Sequence, residues 1–192
     1  MQLILASSSR YRHALLSRLG LAFETHAPDV DEAQRAGETP LQLCRRLSQT
    51  KAAAVARMFP DAVVIGSDQV AELAGQIIGK PMSHDQARAQ LSKASGRSMS
   101  FHTGLCVMHQ ASGRLQVHVE PTLVRFRLLT QTMIAHYVER EPALDCAGGF
   151  KCEGLGISLF EAVGSDDPTA LIGLPLIALR RMLASFGIDP LL

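Results

Sequence analysis

Ser7-Ser8-Ser9-Arg10-Tyr11-Arg12 follows the apolar run Leu3-Ile4-Leu5-Ala6, setting hydroxyl donors and two guanidinium groups where a short buried strand turns into a helix beginning near Arg10. The first turn of a helix leaves backbone N–H groups unpaired and carries the positive end of the macrodipole, which attracts anions. Arginines oppose that dipole and are odd there for stability alone, but their donors match phosphate or carboxylate oxygens. A serine N-cap before a solvated basic turn accounts for the same residues equally well. Lys51 falls within an apolar stripe of Cys44, Leu47, Val55 and Met58, at the helical spacing that runs from Pro40 to Met58. An ammonium on the core side of a helix either snorkels to the rim or pairs with an internal anion. Asp68 follows the compact run Ala62-Val63-Val64-Ile65-Gly66 through Ser67, at the carboxyl end of an expected strand, where open α/β sheets place their ligand crevice. The turn Ala27-Pro28-Asp29-Val30-Asp31-Glu32 carries three acids and reads as a solvated loop or as carboxylates approaching a metal.

Several cations around one carboxylate suit hydrolysis of a polyphosphate, where positioning and charge neutralisation supply most of the rate and the carboxylate activates water. Other chemistries fit less well. A serine hydrolase needs a nucleophile elbow such as GxSxG, and Ser7 to Ser9 have no glycine flanks. The GxxxxGK[ST] loop of a P-loop enzyme is absent, and the glycine-rich stretch Asp145–Gly156 lacks the spacing of a dinucleotide fingerprint. Close approach to a ligand and a plain flexible loop both account for that stretch.

The elements that must position these groups follow from periodicity. Val70–Leu73 and Gln76–Ile78 flank an Ala74-Gly75 turn and read as a hairpin; its register sets Leu73 opposite Gln76, Ala71 opposite Ile78 and Gln69 opposite Lys80, bringing Lys80 beside Asp68. Ser83-His84-Asp85-Gln86 matches a capping box opening a helix that ends at Gly96. Period-two alternation from Met99 to Val107 and from Leu115 to Val119 predicts a long antiparallel pair, interrupted at Pro121 before Val124, Phe126 and Leu128. Thr130 caps a helix through Ile134, Tyr137 and Val138; a strand from Ile157 to Val163 and a helix opened by Pro175 complete the chain.

A chain of 192 residues is long enough for one well-buried core, so a single domain over 1–192 is expected. Nineteen basic against 18 acidic residues leave a net charge of +1, which disfavours wholesale binding to nucleic acid or an anionic membrane. No apolar run reaches the length of a membrane span, and Cys44, Cys106, Cys146 and Cys152 lack CxxC spacing, so a cytoplasmic protein with reduced thiols is expected.

Ala6-Ser7-Ser8-Ser9 with Arg12, Asp31-Glu32, Leu47 with Lys51-Ala52, Gly66-Ser67-Asp68, Gly79-Lys80-Pro81, Ala147-Gly148, Glu153-Gly154-Leu155-Gly156 and Gly173-Leu174-Pro175-Leu176 together resemble the Maf family of nucleoside triphosphate pyrophosphatases. The resemblance runs over nearly the whole chain. It implies an α/β fold, inosine triphosphatase-like, with an elongated bent mixed β-sheet flanked by helices and two lobes about a central cleft. It also implies a homodimer and hydrolysis of a nucleoside triphosphate to the monophosphate and pyrophosphate with a divalent cation (Mg, Mn or Co). By position Asp68 accepts the proton of water, Ser7, Ser9, Arg12, Lys51 and Lys80 hold the triphosphate, and Glu32 assists the metal together with Asp68; Arg10 receives no phosphate role. Three positions bear on the base. The dTTP/UTP subgroup typically carries Arg, Thr and Gln where this chain has Tyr11, Gln69 and Glu153, and the 7-methyl-GTP subgroup typically carries Trp, Gln and Glu. The chain follows the second at Gln69 and Glu153 and places another aromatic, Tyr11, at the first. N7-methylation makes guanine cationic, so an aromatic face contributes roughly 0.5 to 2 kcal/mol, and a carboxylate accepts from guanine N1–H and the exocyclic amine. The expected function is thus 7-methyl-GTP pyrophosphatase, the alternatives being a dTTP/UTP pyrophosphatase of the same family or a non-catalytic nucleotide-binding regulator of cell division.

Overall fold

Residues 1–192 are described by a computed structural model in which the elements follow in the order β1 (Leu3–Ala6), α1 (Arg10–Ser17), β2 (Glu24–Thr25), α2 (Pro40–Ala56), β3 (Val63–Leu73), β4 (Gln76–Ile78), α3 (His84–Ala94), β5 (Ser98–His109), β6 (Arg114–Phe126), α4 (Gln131–Arg140), β7 (Phe160–Gly164) and α5 (Leu176–Ser185). The strands form one seven-stranded mixed sheet in the order β2-β1-β3-β5-β6-β7, with β4 paired to β3. The chain divides into two compact units, one comprising residues 1–68, 103–120 and 167–192, the other 69–102 and 121–166.

In the first unit β1 pairs in parallel with β3, Leu3 opposite Val63 and Ala6 opposite Gly66. Alternate side chains of a strand face opposite ways. Leu3, Leu5, Val63 and Ile65 pack with Leu15 and Leu16 of α1 and with Leu179 and Leu183 of α5, whereas Ile4, Ala6 and Val64 pack with Ala52, Val55 and Ala56 of α2. Covered on both faces, these strands are apolar throughout, as in buried parallel sheets. Helix α1 has only eight residues and no acid in its first turn. Basic residues there cost about 0.3–1 kcal/mol each, but burying Leu15 and Leu16 returns about 1.5–3 kcal/mol apiece, so packing holds the helix. Gly66 lets α2 approach β3 closely: a Cβ at this position would lie 2.7 Å from Ala52 N and 2.8 Å from Ala52 Cβ.

The second unit is centred on Phe101, Phe126, Phe150 and Phe160, whose rings meet edge to face at centroid distances of 4.9–5.6 Å. Gly148 closes against this cluster with φ +81°, and a Cβ there would press on Phe150, Met99 and Phe101 at 3.1–3.3 Å. The glycine-rich stretch is therefore tied to a core at this point. The hairpin turn Ala74-Gly75 has positive φ at both residues, the turn that matches strand twist.

Several boundaries depart from expectation. Strand β3 does not stop at Gly66; it runs on through Ser67 and Asp68 to Leu73, so Asp68 lies within the strand. Pro121 does not interrupt β6, which runs through it from Arg114 to Phe126, and it lies outside the β7 ladder, which begins at Leu123. Residues Leu155–Leu159 form a 3₁₀ turn and β7 starts at Phe160. Met58 lies beyond the end of α2 and is 58% exposed, so the α2 stripe closes at Val55.

Candidate active site

The turn after β1 is organised by its own hydroxyls. Ser7 Oγ accepts from Ser9 N at 3.1 Å, and Ser9 Oγ accepts from Arg12 N at 3.4 Å as the N-cap of α1. A hydroxyl that accepts from backbone keeps its own proton to donate. Arg12 donates through Nε to the carbonyl of Gly173 at 2.9 Å. The same carbonyl receives the Ser67 hydroxyl at 2.9 Å, shared with Gly104 O at 2.8 Å. Burial lowers the Arg12 pKa, while the charges of Asp68 and Glu32 act to raise it, so the guanidinium feels both carboxylates.

Lys51 resolves the choice between snorkelling and pairing. Its ammonium is buried with Nζ 2.6 Å from Asp68 Oδ1 and 2.7 Å from Glu32 Oε1. Asp68 is also buried, whereas the Glu32 side chain is 59% exposed on its loop. Cys44, one of the expected stripe residues, donates its thiol to the Asp68 carbonyl at 3.3 Å, fixing α2 against β3 beside the acid.

The loop that carries Glu32 is tied to α2 by Arg46. Its Nε and Nη2 reach the Glu38 carboxylate at 2.6 and 2.8 Å, and Nη2 donates to Ala33 O at 2.9 Å. These hydrogen bonds hold the Glu38 pKa at about 2 against a usual 4.5. A depressed carboxylate pKa gives stability that is complete above the unfolded value and lost as pH falls through the folded one. The melting difference between the wild type and Glu38→Gln is therefore expected to be largest above pH 4.5 and to shrink toward pH 2; a pH-independent difference would refute the ion pair's contribution.

Tyr11 carries the guanidinium of Arg10 over its ring at 4.9 Å from the centroid, and Arg10 Nη2 donates to its hydroxyl at 2.9 Å. Arg10 thus belongs with Tyr11.

The first unit accordingly contains Ser7, Ser9, Tyr11, Arg12, Glu32, Lys51 and Asp68, and the second contains Gln69, Lys80 and Glu153. The hairpin register holds for Ala71 with Ile78 and Leu73 with Gln76, but the ladder ends at Ile78, so no strand pair forms between Gln69 and Lys80, and Lys80 is exposed. Glu153 is exposed in a turn whose flank is held by Glu141: Oε1 accepts from Leu155 N at 3.1 Å and Oε2 from Gly156 N at 2.9 Å. Tyr137 donates to Glu141 Oε2 at 3.2 Å and accepts from Lys151 N at 3.0 Å. Burial, chiefly, pushes the Tyr137 phenol pKa up, opposed by the Lys151 amide.

Sequence reasoning missed Ser67, Arg46, Glu38, Glu141 and the cap of α5. Asp167 Oδ2 accepts from Ile177 N at 2.7 Å and Ala178 N at 3.2 Å, and Thr169 Oγ1 from Leu176 N at 2.8 Å. The spacing Asp-x-Thr several residues before Pro175 was the available signal.

Two carboxylates and an ammonium beside an arginine and a hydroxyl-rich turn can bind an anion and accept a proton. Comparison with known proteins agrees with that chemistry. The family described as Maf-like protein matches residues 2–186. The 7-methyl-GTP pyrophosphatases of Xanthomonas axonopodis pv. citri (strain 306) and Xanthomonas oryzae pv. oryzae (strain MAFF 311018) are 56% and 55% identical over 187 residues, 97% of this chain and of each relative. Among solved structures, the Ham1 protein of Staphylococcus aureus and a HAM1 protein from Coxiella burnetii align with TM-scores of 0.55 and 0.54 at 14% and 16% identity. Each alignment covers 96% of this chain and 99% of the other, a likeness of fold. With its motifs in order and its match running almost end to end, this chain belongs to the Maf family.

Proposed function

We propose that the protein hydrolyses 7-methyl-GTP, or a closely related modified purine nucleoside triphosphate, to the nucleoside monophosphate and pyrophosphate. The observation that carries this reading is the Lys51 ammonium seated between Asp68 and Glu32 in the unit that also contains Arg12 and the serine turn. The base is assigned from the substrate named for the two Xanthomonas relatives, together with Gln69 and Glu153. In this scheme Ser7, Ser9, Arg12, Lys51 and Lys80 hold the triphosphate, and Lys51 turns from the carboxylates toward phosphate oxygens. Asp68 Oδ2, not used in the Lys51 pair, accepts a proton from the water that attacks the α-phosphorus. The bond to the β-phosphate bridging oxygen breaks and pyrophosphate leaves. Glu153 accepts from the guanine edge, Gln69 lies next to Asp68 in the chain, and Tyr11 offers its face to the cationic ring.

Asp68 Oδ1 and Glu32 Oε1 both converge on the Lys51 ammonium, a pair of hard oxygens of the kind a divalent ion takes. Held by Asp68 and Glu32, Mg²⁺, Mn²⁺ or Co²⁺ would neutralise charge on the reacting phosphates. The same reading takes the protein to be a cytoplasmic homodimer acting on free nucleotide. No helix is long and apolar enough to cross a membrane.

A panel of 7-methyl-GTP, GTP, dTTP and UTP with each metal, scored by pyrophosphate release, tests the assignment. The expected result is the highest kcat/KM for 7-methyl-GTP. Preference for dTTP and UTP would move the chain to the other subgroup, and binding without product in a single turnover would favour a regulator.

A further inference from the structure

Glu32 lies in a stretch, residues 26–38, with no helix or strand, so side chains must fix its place. Arg46 on α2 makes three hydrogen bonds into that stretch, two to the Glu38 carboxylate at 2.6 and 2.8 Å and one to Ala33 O at 2.9 Å. Ala33 is the residue after Glu32, and its amide is turned in by Asp31 Oδ1 at 2.9 Å. Glu38 Oε2 also accepts from Arg35 N at 3.0 Å, and Gln34 Nε2 donates to Glu38 O at 2.8 Å, so the loop is folded about the carboxylate that Arg46 grips. At the exit, Thr39 and Gln42 form a reciprocal capping box at the start of α2. The helix that supplies Lys51 therefore also supplies the anchor for the loop that supplies Glu32. A planar guanidinium can serve a carboxylate and a neighbouring carbonyl at once in a fixed geometry, which a lysine cannot reproduce.

We propose that Arg46 is a positioning residue for the reaction: with Glu38 as its counter-charge, it holds the 29–38 loop so that the Glu32 carboxylate meets the Lys51 ammonium. This rests on the role given to Glu32 above. Glu32 is mostly exposed on a loop without helix or strand, so the grip of Arg46 on that loop governs how precisely its carboxylate is placed for phosphate, water and metal. A displacement on the order of an ångström can lower a rate by about 10²-fold.

The test is a double-mutant cycle. Arg46→Gln and Arg46→Lys are made in the wild type and in Glu32→Ala, and hydrolysis of 7-methyl-GTP is measured beside amide hydrogen exchange of the nucleotide-free protein. Arg46→Gln is expected to lower kcat about tenfold with KM for nucleotide within about twofold, and to cost under about twofold where Glu32 is already alanine. Exchange over 29–38 should quicken while β3 keeps its protection. Arg46→Lys should recover the melting temperature while recovering less than about half of kcat. Equal losses in both backgrounds, or unchanged exchange over 29–38, would overturn the proposal. Full activity of Glu32→Ala would defeat the role of Glu32 and the catalytic claim with it. If the protein prefers another nucleotide, only the base assignment falls, and the cycle is run on that nucleotide.

Discussion

Asp68→Asn is expected to lower pyrophosphate release by about 10²–10⁴-fold, the usual worth of a positioned proton acceptor. The substitution keeps the side-chain volume and leaves an oxygen to accept from the Lys51 ammonium, which stays paired with Glu32 at 2.7 Å. The Cys44 thiol reaches the Asp68 main-chain carbonyl and is untouched. The variant should therefore fold, bind nucleotide and fail at chemistry, as read by far-ultraviolet circular dichroism, thermal melting and single-turnover product formation. Activity within about threefold of wild type would remove Asp68 as the acceptor.

Lys51→Met separates stability from catalysis. Methionine suits the apolar stripe of α2 but strips the buried Asp68 carboxylate of its cation, and removing one member of a buried pair costs about 3–5 kcal/mol. The loss should sit near the lower end, because the Glu32 carboxylate is largely exposed and can turn to water. Adding Asp68→Asn removes the stranded charge, so the double variant should regain much of the melting temperature while remaining inactive. A double variant no more stable than Lys51→Met would show that the pair is not what holds α2 and β3 together at this point.

Much of this architecture is legible in the chain because local pattern and tertiary environment agree. The apolar β1, the N-caps Ser9, Ser83 and Thr130 and the hairpin pairing of Ala71 with Ile78 follow from period and turn chemistry alone. Periodicity misplaces Asp68 because it treats Ser67 and Asp68 as strand breakers. Each is satisfied inside the strand, Ser67 by the carbonyls of Gly104 and Gly173 and Asp68 by Lys51. Partners so distant in sequence leave no local trace. Lys51 shows a middle case: its place in an apolar stripe leaves snorkelling or pairing, because an unpaired ammonium would be too costly to bury. Only the fold, with Asp68 and Glu32 at its Nζ, decides for pairing. Arg46 and Glu38 look like ordinary surface charges eight residues apart, and only the folded loop shows what they hold.

The Gly173 carbonyl takes hydrogen bonds from residues 161 and 106 positions earlier, Arg12 and Ser67. During synthesis β1, α1, α2 and β3 emerge and can pair long before that acceptor exists. A chain that has not reached residue 173 therefore cannot make the Arg12 bond, whatever else of the first unit has formed. A chain cut short before residue 173 lacks the carbonyl that Arg12 and Ser67 share, and with it the helix α5 whose Leu179 and Leu183 cover one face of β1 and β3.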